Sequence, residues 1–260
     1  MYKREETEKI VEIIKQAGKI AMVYFTQLKD HHISTKGDGS LLTIADTEVD
    51  QYLRSSLEEA FPDYSVLSEE SKNEKTTEGV FIIDPIDGTG NFASGSSNFA
   101  ISIGLVINGK PEVGLVFAPA VNTLYVGEIN GHAFCNDQII TVTNKDSLDN
   151  IKIFLHTGRS PETLERHSKI MAFLEPHNAI VEKDFSCASL DLCKVADGSY
   201  DAFVHRGLDA WDIAGAIAIL QSAGGTVSHF DGSEKDLFKK NIVGTSPLLK
   251  DQLIAITKNC

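Results

Sequence analysis

Apolar residues recur on a 3.6-residue period near the start of the chain. Ile10, Ile13, Ile14, Ala17, Ile20 and Ala21 share one face with Glu and Lys between them, which predicts an amphipathic helix. The period fades at His31-His32, and Asp30 to Leu42, with Lys36-Gly37-Asp38-Gly39-Ser40 inside it, reads as a long flexible loop. Val49, Tyr52, Leu53, Leu57 and Ala60 predict a second helix from about Ala45 to Phe61, stopped by Pro62-Asp63. The pattern then shortens into strand-like runs at Val80 to Ile83 and Ala100 to Ile107. Asn108-Gly109 joins the latter to Glu112 to Phe117 as a hairpin, and Leu124 to Gly127 before Asn130-Gly131 suggests another.

The polar stretch Asn144 to Asn150 is the best candidate boundary. It divides the chain into residues 1–145, helices followed by a largely antiparallel sheet, and residues 146–260. The second part alternates strands (Lys152 to His156, Asp201 to Val204) with helices. These open at Ser160-Pro161-Glu162, run from Ala188 to Ala196, and run from Trp211 to Ala223, the last closed by Gly224-Gly225. The fold class is α/β.

With 260 residues, 42% of them hydrophobic, the chain can bury a large core. Its net charge of −13 opposes a duplex-binding surface, which needs clustered Lys and Arg. No apolar run is long enough to span a bilayer, and Met1 to Glu6 does not open a secretory signal. The four cysteines, Cys135, Cys187, Cys193 and Cys260, form no CxxC pair or zinc spacing. Reduced thiols in the cytoplasm are the expectation.

Candidate chemistry concentrates in Phe81-Ile82-Ile83-Asp84-Pro85-Ile86-Asp87-Gly88-Thr89-Gly90-Asn91-Phe92. A buried strand delivers two carboxylates three residues apart, and Pro85 stiffens the turn between them. The Ile86 side chain can enter the core while its carbonyl faces outward. Such oxygens suit a hard cation such as Mg²⁺, and the glycines let backbone N–H groups approach a phosphate. The same residues also read as an Asx turn capping a helix. Ser68-Glu69-Glu70 and Ala210-Trp211-Asp212 add carboxylates at the edges of apolar elements, where the bland readings are a solvated pair and a helix cap. Two carboxylates about 4 Å apart repel by roughly 4 kcal/mol at an effective dielectric near 20. If Glu69, Asp84, Asp87 and Asp212 converge, bound divalent cations are the simplest explanation. Spacing alone leaves convergence open.

These residues resemble the inositol monophosphatase family of Mg²⁺-dependent, Li⁺-sensitive phosphomonoesterases. The resemblance rests on Asp84-Pro85-Ile86-Asp87-Gly88-Thr89 with Asn91-Phe92, and on Trp211-Asp212-Ile213-Ala214-Gly215 with Ala223-Gly224-Gly225. It implies a layered αβαβα sandwich, a homodimer, and hydrolysis of a small phosphate ester by activated water. Glu69, Asp84 and the Ile86 carbonyl would hold one Mg²⁺, and Asp84, Asp87 and Asp212 a second. A third, weaker ion would sit near Glu69, which joins Asp46 and Thr89 in the catalytic set. Thr89 and Asp46 would orient and deprotonate the water. Gly88 and Thr89 would take the phosphate, and Lys36 would lie on a closing flap. Ser186, Cys187, Ala188, His205, Arg206 and Asp212 would face the substrate.

Some positions depart from that pattern. Ser68 stands where inositol-specific members carry Gly, and is more at home in bisphosphate nucleotidases. His205 replaces the inositol-contacting acid, and Ser186-Cys187-Ala188 replaces a Gly-Ser/Thr-Ala stretch. Gly90-Asn91-Phe92 favours the inositol branch over the nucleotidases, and Leu190-Asp191-Leu192 resembles bacterial inositol phosphatases. His205 and Arg206 read either as a pair contacting the alcohol or a second phosphate, or as a strand-end His beside a surface Arg. The leading substrate is inositol monophosphate or a similar sugar phosphate. Fructose 1,6-bisphosphate, 3′-phosphoadenosine 5′-phosphate and histidinol phosphate are the alternatives. A non-catalytic Mg²⁺- or phosphate-binding regulator is the reading from another class.

Overall fold

The computed structural model describes residues 5–25, 27, 33–35, 41–71, 78–157, 161–182 and 187–258. Lys36, Ser186, His31-His32 and Cys260 lie outside the described residues.

In chain order the elements begin with α1 (Glu5–Phe25), β1 (Ile33–Thr35), β2 (Leu41–Thr43) and α2 (Ile44–Ala60). A seven-stranded sheet follows: β3 (Ser65–Ser68), β4 (Gly79–Asp87), β5 (Ala100–Ile107), β6 (Lys110–Ala118), β7 (Thr123–Glu128), β8 (Ala133–Cys135) and β9 (Gln138–Ile140), in that spatial order. The short helix α3 (Thr89–Ala93) interrupts it after β4. The remaining elements are β10 (Lys152–His156), α4 (Pro161–Leu174), β11 (Ile180–Glu182), α5 (Ala188–Ala196), β12 (Ala202–Arg206), α6 (Ala210–Ser222), β13 (Thr226–Ser228), β14 (Asn241–Thr245) and α7 (Lys250–Thr257). They build a five-stranded sheet of order β11-β10-β12-β14-β13.

Three apolar clusters define the layers. α1 and α2 bury Ile10, Ile14, Val49 and Leu53 against Phe81, Ile83, Ile101, Ile103 and Leu115 on one face of the large sheet. α5 and α6 fill the space between the two sheets, touching Ile82 and Val116 on one side and Phe154, Phe203 and Ile242 on the other. α4 and α7 cover the outer face of the small sheet, over Ile153, Leu155, Ala202, Val204 and Val243. The result is a layered αβαβα sandwich, whose middle cluster draws on residues from both sides of the 145/146 boundary. No helix among the described residues is long and apolar enough to cross a membrane.

The large sheet is antiparallel except for β3, which runs parallel to β4. Asn108 and Gly109 both take positive φ (51° and 78°), closing the β5–β6 hairpin as their sequence predicts. The stretch expected to be a flexible loop instead carries the antiparallel pair β1–β2, whose register joins Ile33 to Thr43 and Thr35 to Leu41. Three-residue strands are too short to show an alternation in sequence.

α6 is apolar on nearly every side because both sheets enclose it. Its seat is a row of glycines: Gly104 pairs with Gly114 and Gly114 with Gly127, across three adjacent strands. A Cβ at Gly114 would lie 1.9 Å from the Gly215 carbonyl oxygen, and one at Gly127 2.4 Å from the Ile219 Cα. The helix backbone therefore rests directly on the sheet. We expect Gly114→Ala to destabilise the fold by about 1–3 kcal/mol or more, lowering Tm by roughly 2–4 °C per kcal/mol. A melting curve that matches the parent protein would contradict this seating.

Candidate active site

The end of β4 sets the geometry. β4 and β5 pair in even register from Gly79–Ile107 to Asp84–Ser102, and the register then slips before Asp87–Ala100. Pro85, which has no N–H to give the ladder, lies within this bulge. The slip reverses the alternation of side chains. Ile82 faces α5 and α6 while Phe81 and Ile83 face α1 and α2, and beyond the bulge Ile86 turns into the α1–α2 core. Asp84 and Asp87 can thus lie on the same side of the sheet.

There Asp84, Asp87 and Asp212 each offer a carboxylate oxygen within 4.8 Å of the others. Asp84 and Asp87 are buried and Asp212 half-buried. The Ile86 N–H donates to Asp84 Oδ1 at 3.0 Å, tightening the turn. Asp87 sits over the start of α5 and accepts from the Ala188 N–H (3.3 Å), the Ser189 N–H (2.7 Å), the Ser189 hydroxyl (2.5 Å) and the Cys187 thiol (3.2 Å). Asp212 belongs to the first turn of α6 and accepts from the Asp209 N–H at 2.6 Å. It is a helix cap as well as a member of the cluster.

Two further groups complete the site. Asp46, buried in the first turn of α2, is held by a capping box with Thr43. The Thr89 hydroxyl lies 3.3 Å from Asp46 Oδ1 and 3.1 Å from the Ile86 carbonyl oxygen. Gly88 takes φ 88°, a left-handed conformation that glycine adopts without penalty, and so turns the chain from β4 into α3. Glu69 follows β3, its N–H donating to the Ile83 carbonyl at 3.3 Å. The Ser68 hydroxyl donates to Asp50 of α2. Ser68 therefore ties the strand end to the helix beside Glu69.

The carboxylates strain one another. Burial pushes Asp84 well above the usual carboxylate range, and the charges of Glu69, Asp87, Asp212 and Asp46 push it further. Asp212 is raised well above its usual value by loss of water around its carboxyl and then by Asp87. Burial also raises Asp87, against the hydrogen bonds from Ser189, Cys187 and Ala188. A hard divalent cation would relieve this repulsion, and the all-oxygen donor set fits Mg²⁺. The Cys187 thiol is buried and raised by burial and by Asp87, so it is poorly disposed to act as a nucleophile.

A model of the Inositol monophosphatase family matches residues 3–260. The chain belongs to the inositol monophosphatase family. It is accordingly a phosphatase of phosphate monoesters. The inositol-1-monophosphatase of Rhizobium meliloti is 34% identical over 241 residues, covering 90% of this chain and 89% of that one. The fructose-1,6-bisphosphatase/inositol-1-monophosphatase of Thermotoga maritima is 31% identical over 252 residues, covering 95% of this chain and 93% of that relative. Among solved structures, the extragenic suppressor protein suhB of Bartonella henselae superposes with a TM-score of 0.90 at 27% identity, covering 98% of this chain and 99% of the other.

The phosphatase separates two residues that the sequence joins. His205 stacks between Phe203 and His156 of β10, with ring centroids 5.5 and 4.5 Å away. It lies on the side of β12 that faces α5 and α6. Arg206, the next residue, shares the opposite side with Ala202 and Val204 and lines a cavity beneath α4 and α7. Strand alternation thus places Arg206 on the opposite side of β12 from His205, so the structure does not bring the expected pair together.

The sequence reading missed Ser189, Thr43, Asp209 and His156. Thr43-x-x-Asp46 and Asp209-x-x-Asp212 carry capping-box spacing and were legible as such. Nothing in the sequence marked Ser189 or His156.

Burial, and then the neighbouring His156, push His205 down from the usual 6.5 to about 3. Across that window the unfolded chain binds the proton and the folded one does not, so stability falls as pH drops below 6.5. From pH 7 to about pH 5 the loss from this group is about 2 kcal/mol. Denaturant unfolding of His205→Phe, which keeps a ring in the stack, should show correspondingly less acid sensitivity than the parent. Equal losses would contradict a neutral, buried His205.

Proposed function

We propose that this phosphatase hydrolyses inositol monophosphate or a similar sugar phosphate with Mg²⁺ bound at the carboxylate cluster. The observation that carries the reading is the meeting of Asp84, Asp87 and Asp212 within 4.8 Å, beside the Asp46–Thr89 pair. Glu69, Asp84 and the Ile86 carbonyl would hold one ion, and Asp84, Asp87 and Asp212 a second, with two to three ions per site. When bound, such ions polarise the phosphate and make water more acidic.

The protein's own residues supply position and proton transfer. Thr89 holds its hydroxyl between Asp46 and the Ile86 carbonyl, so it can orient a water molecule while Asp46 takes the proton. Gly88 and Thr89 offer backbone N–H groups to the phosphate. Cys187 and Ala188 border the substrate, the role expected from the sequence for Ser186 and Lys36 as well, and His205 forms the neutral end of that wall. Phosphoryl transfer depends mainly on such positioning and charge neutralisation, and requires no covalent nucleophile. The same reading makes the enzyme a cytoplasmic homodimer acting on a soluble ester, with no nucleic acid or membrane partner.

Fructose 1,6-bisphosphate is the second substrate to consider, because the Thermotoga maritima relative carries both activities in its name.

Phosphate release from inositol 1-phosphate, fructose 1,6-bisphosphate, 3′-phosphoadenosine 5′-phosphate and histidinol phosphate, with Mg²⁺ or chelator, tests the proposal. We expect Mg²⁺-dependent turnover with inositol 1-phosphate preferred. Thr89→Ala should lower kcat about a hundredfold or more. Folded, Mg²⁺-supplied protein that turns over none of the four, or a Thr89→Ala variant with parental kcat, would overturn it.

A further inference from the structure

The chain meets many of its cations with carboxylates. Lys145 pairs with Asp201, Lys194 with Asp191, Lys240 with Asp209, Lys110 with Glu234 and Lys169 with Glu165. Arg206 departs from that habit. It is half-buried, and among the described residues its guanidinium makes no ion pair or side-chain hydrogen bond. A guanidinium presents five N–H donors in a planar fork, and partial withdrawal from water leaves them wanting acceptors.

Arg206 opens into a cavity of about 310 Å³ on the outer side of the small sheet. Arg166 of α4, Lys239 and Lys258 reach the same cavity from three other segments. His229 is also in the wall. Its Nε2 accepts from the Asp236 N–H at 3.0 Å, leaving Nδ1 to donate to the Asn241 carbonyl at 3.0 Å. The only carboxylate in the described lining is Asp231, which turns toward its own loop and accepts from the Ser233 N–H (2.9 Å) and hydroxyl (2.6 Å). Among the described lining residues, four cationic side chains therefore meet one carboxylate, which is engaged within its own loop, in a protein whose net charge is −13; of the four, Arg166 also has an interaction of its own.

We infer that this cavity is a second anion site, separate from the catalytic one, which takes a compact phosphorylated ligand bearing two or more negative charges. Two arginine forks approaching from different elements match the several oxygens of a phosphate better than the two of a carboxylate. The cavity has room for a phosphate with a small organic group attached. The site is distinct from the carboxylate cluster because it lies on the opposite face of β12 from His205. It is nevertheless close along the chain. The Gly207 N–H donates to the Lys240 carbonyl at 2.6 Å, Lys240 pairs with Asp209, and the Asp209 N–H binds Asp212.

Calorimetric titration of the full chain with Mg²⁺ present tests the inference, using inorganic phosphate and a non-hydrolysable glycerol phosphonate as probes. We expect two anion sites per chain. Arg166→Gln combined with Arg206→Gln should weaken one of them at least tenfold and leave the other. The exposed Lys239→Gln, which threatens no packing, should weaken the same site severalfold. Asp84→Asn should abolish only the other site, so loss of the catalytic reading and loss of this one give different results. The cavity site should also weaken as NaCl is raised, as expected for partly exposed charges. Tighter binding of the phosphonate would identify an organic phosphate as the ligand, and tighter binding of phosphate the inorganic ion. A single site per chain, or two sites indifferent to the arginine and Lys239 substitutions, would overturn the inference.

Discussion

The seating of α6 against the glycine row is the constraint on which the site depends. Gly104, Gly114 and Gly127 lie side by side across β5, β6 and β7, and the helix rests its backbone on them. Any larger residue there would lift the helix away from the sheet. Because the N-terminal turn of α6 carries Asp212 and the end of β4 carries Asp84 and Asp87, this contact sets how far apart the carboxylates stand. Packing in the interior thus becomes geometry at the site.

That geometry is electrostatically unfavourable without a partner. Asp84 and Asp212 are both driven well above the normal carboxylate range by burial and by one another's neighbours. Asp87 is eased by four hydrogen bonds from the start of α5, a local arrangement that keeps one carboxylate oriented while the others await charge. Divalent cations would offset this repulsion. The protein keeps Asp46 apart, fixed by Thr43 and in contact with Thr89, where a proton acceptor is useful. The cationic cavity under α4 and α7 inverts the pattern, placing positive charge beyond the opposite face of the small sheet.

Much of this was legible in the sequence because the informative residues are contiguous. Asp84-Pro85-Ile86-Asp87-Gly88-Thr89 encodes the bulge, the turn and the start of α3 in six positions, and Asn108-Gly109 encodes its hairpin. What escaped depends on registers and faces. The one-residue slip between Asp84 and Asp87 decides which way both side chains point, and it becomes visible only against β5. His205 and Arg206 look like a pair until strand alternation sends them to opposite layers. The glycine row is spread over some two dozen residues and aligns only once three strands are paired. The strand β14, which lies between β12 and β13, is missing from the sequence reading because Asn241 to Thr245 is short and lacks flanking periodicity.

The central claim is that the cluster of Asp84, Asp87 and Asp212 is a divalent-cation site built into the junction of the two sheets. Calorimetric titration of the metal-stripped full chain with Mg²⁺, beside Asp87→Asn, tests it most directly. The account predicts saturable binding of more than one ion per chain, accompanied by a higher Tm, with both effects weakened in the variant. A protein that takes up no Mg²⁺ and melts at the same temperature with or without it would contradict the account.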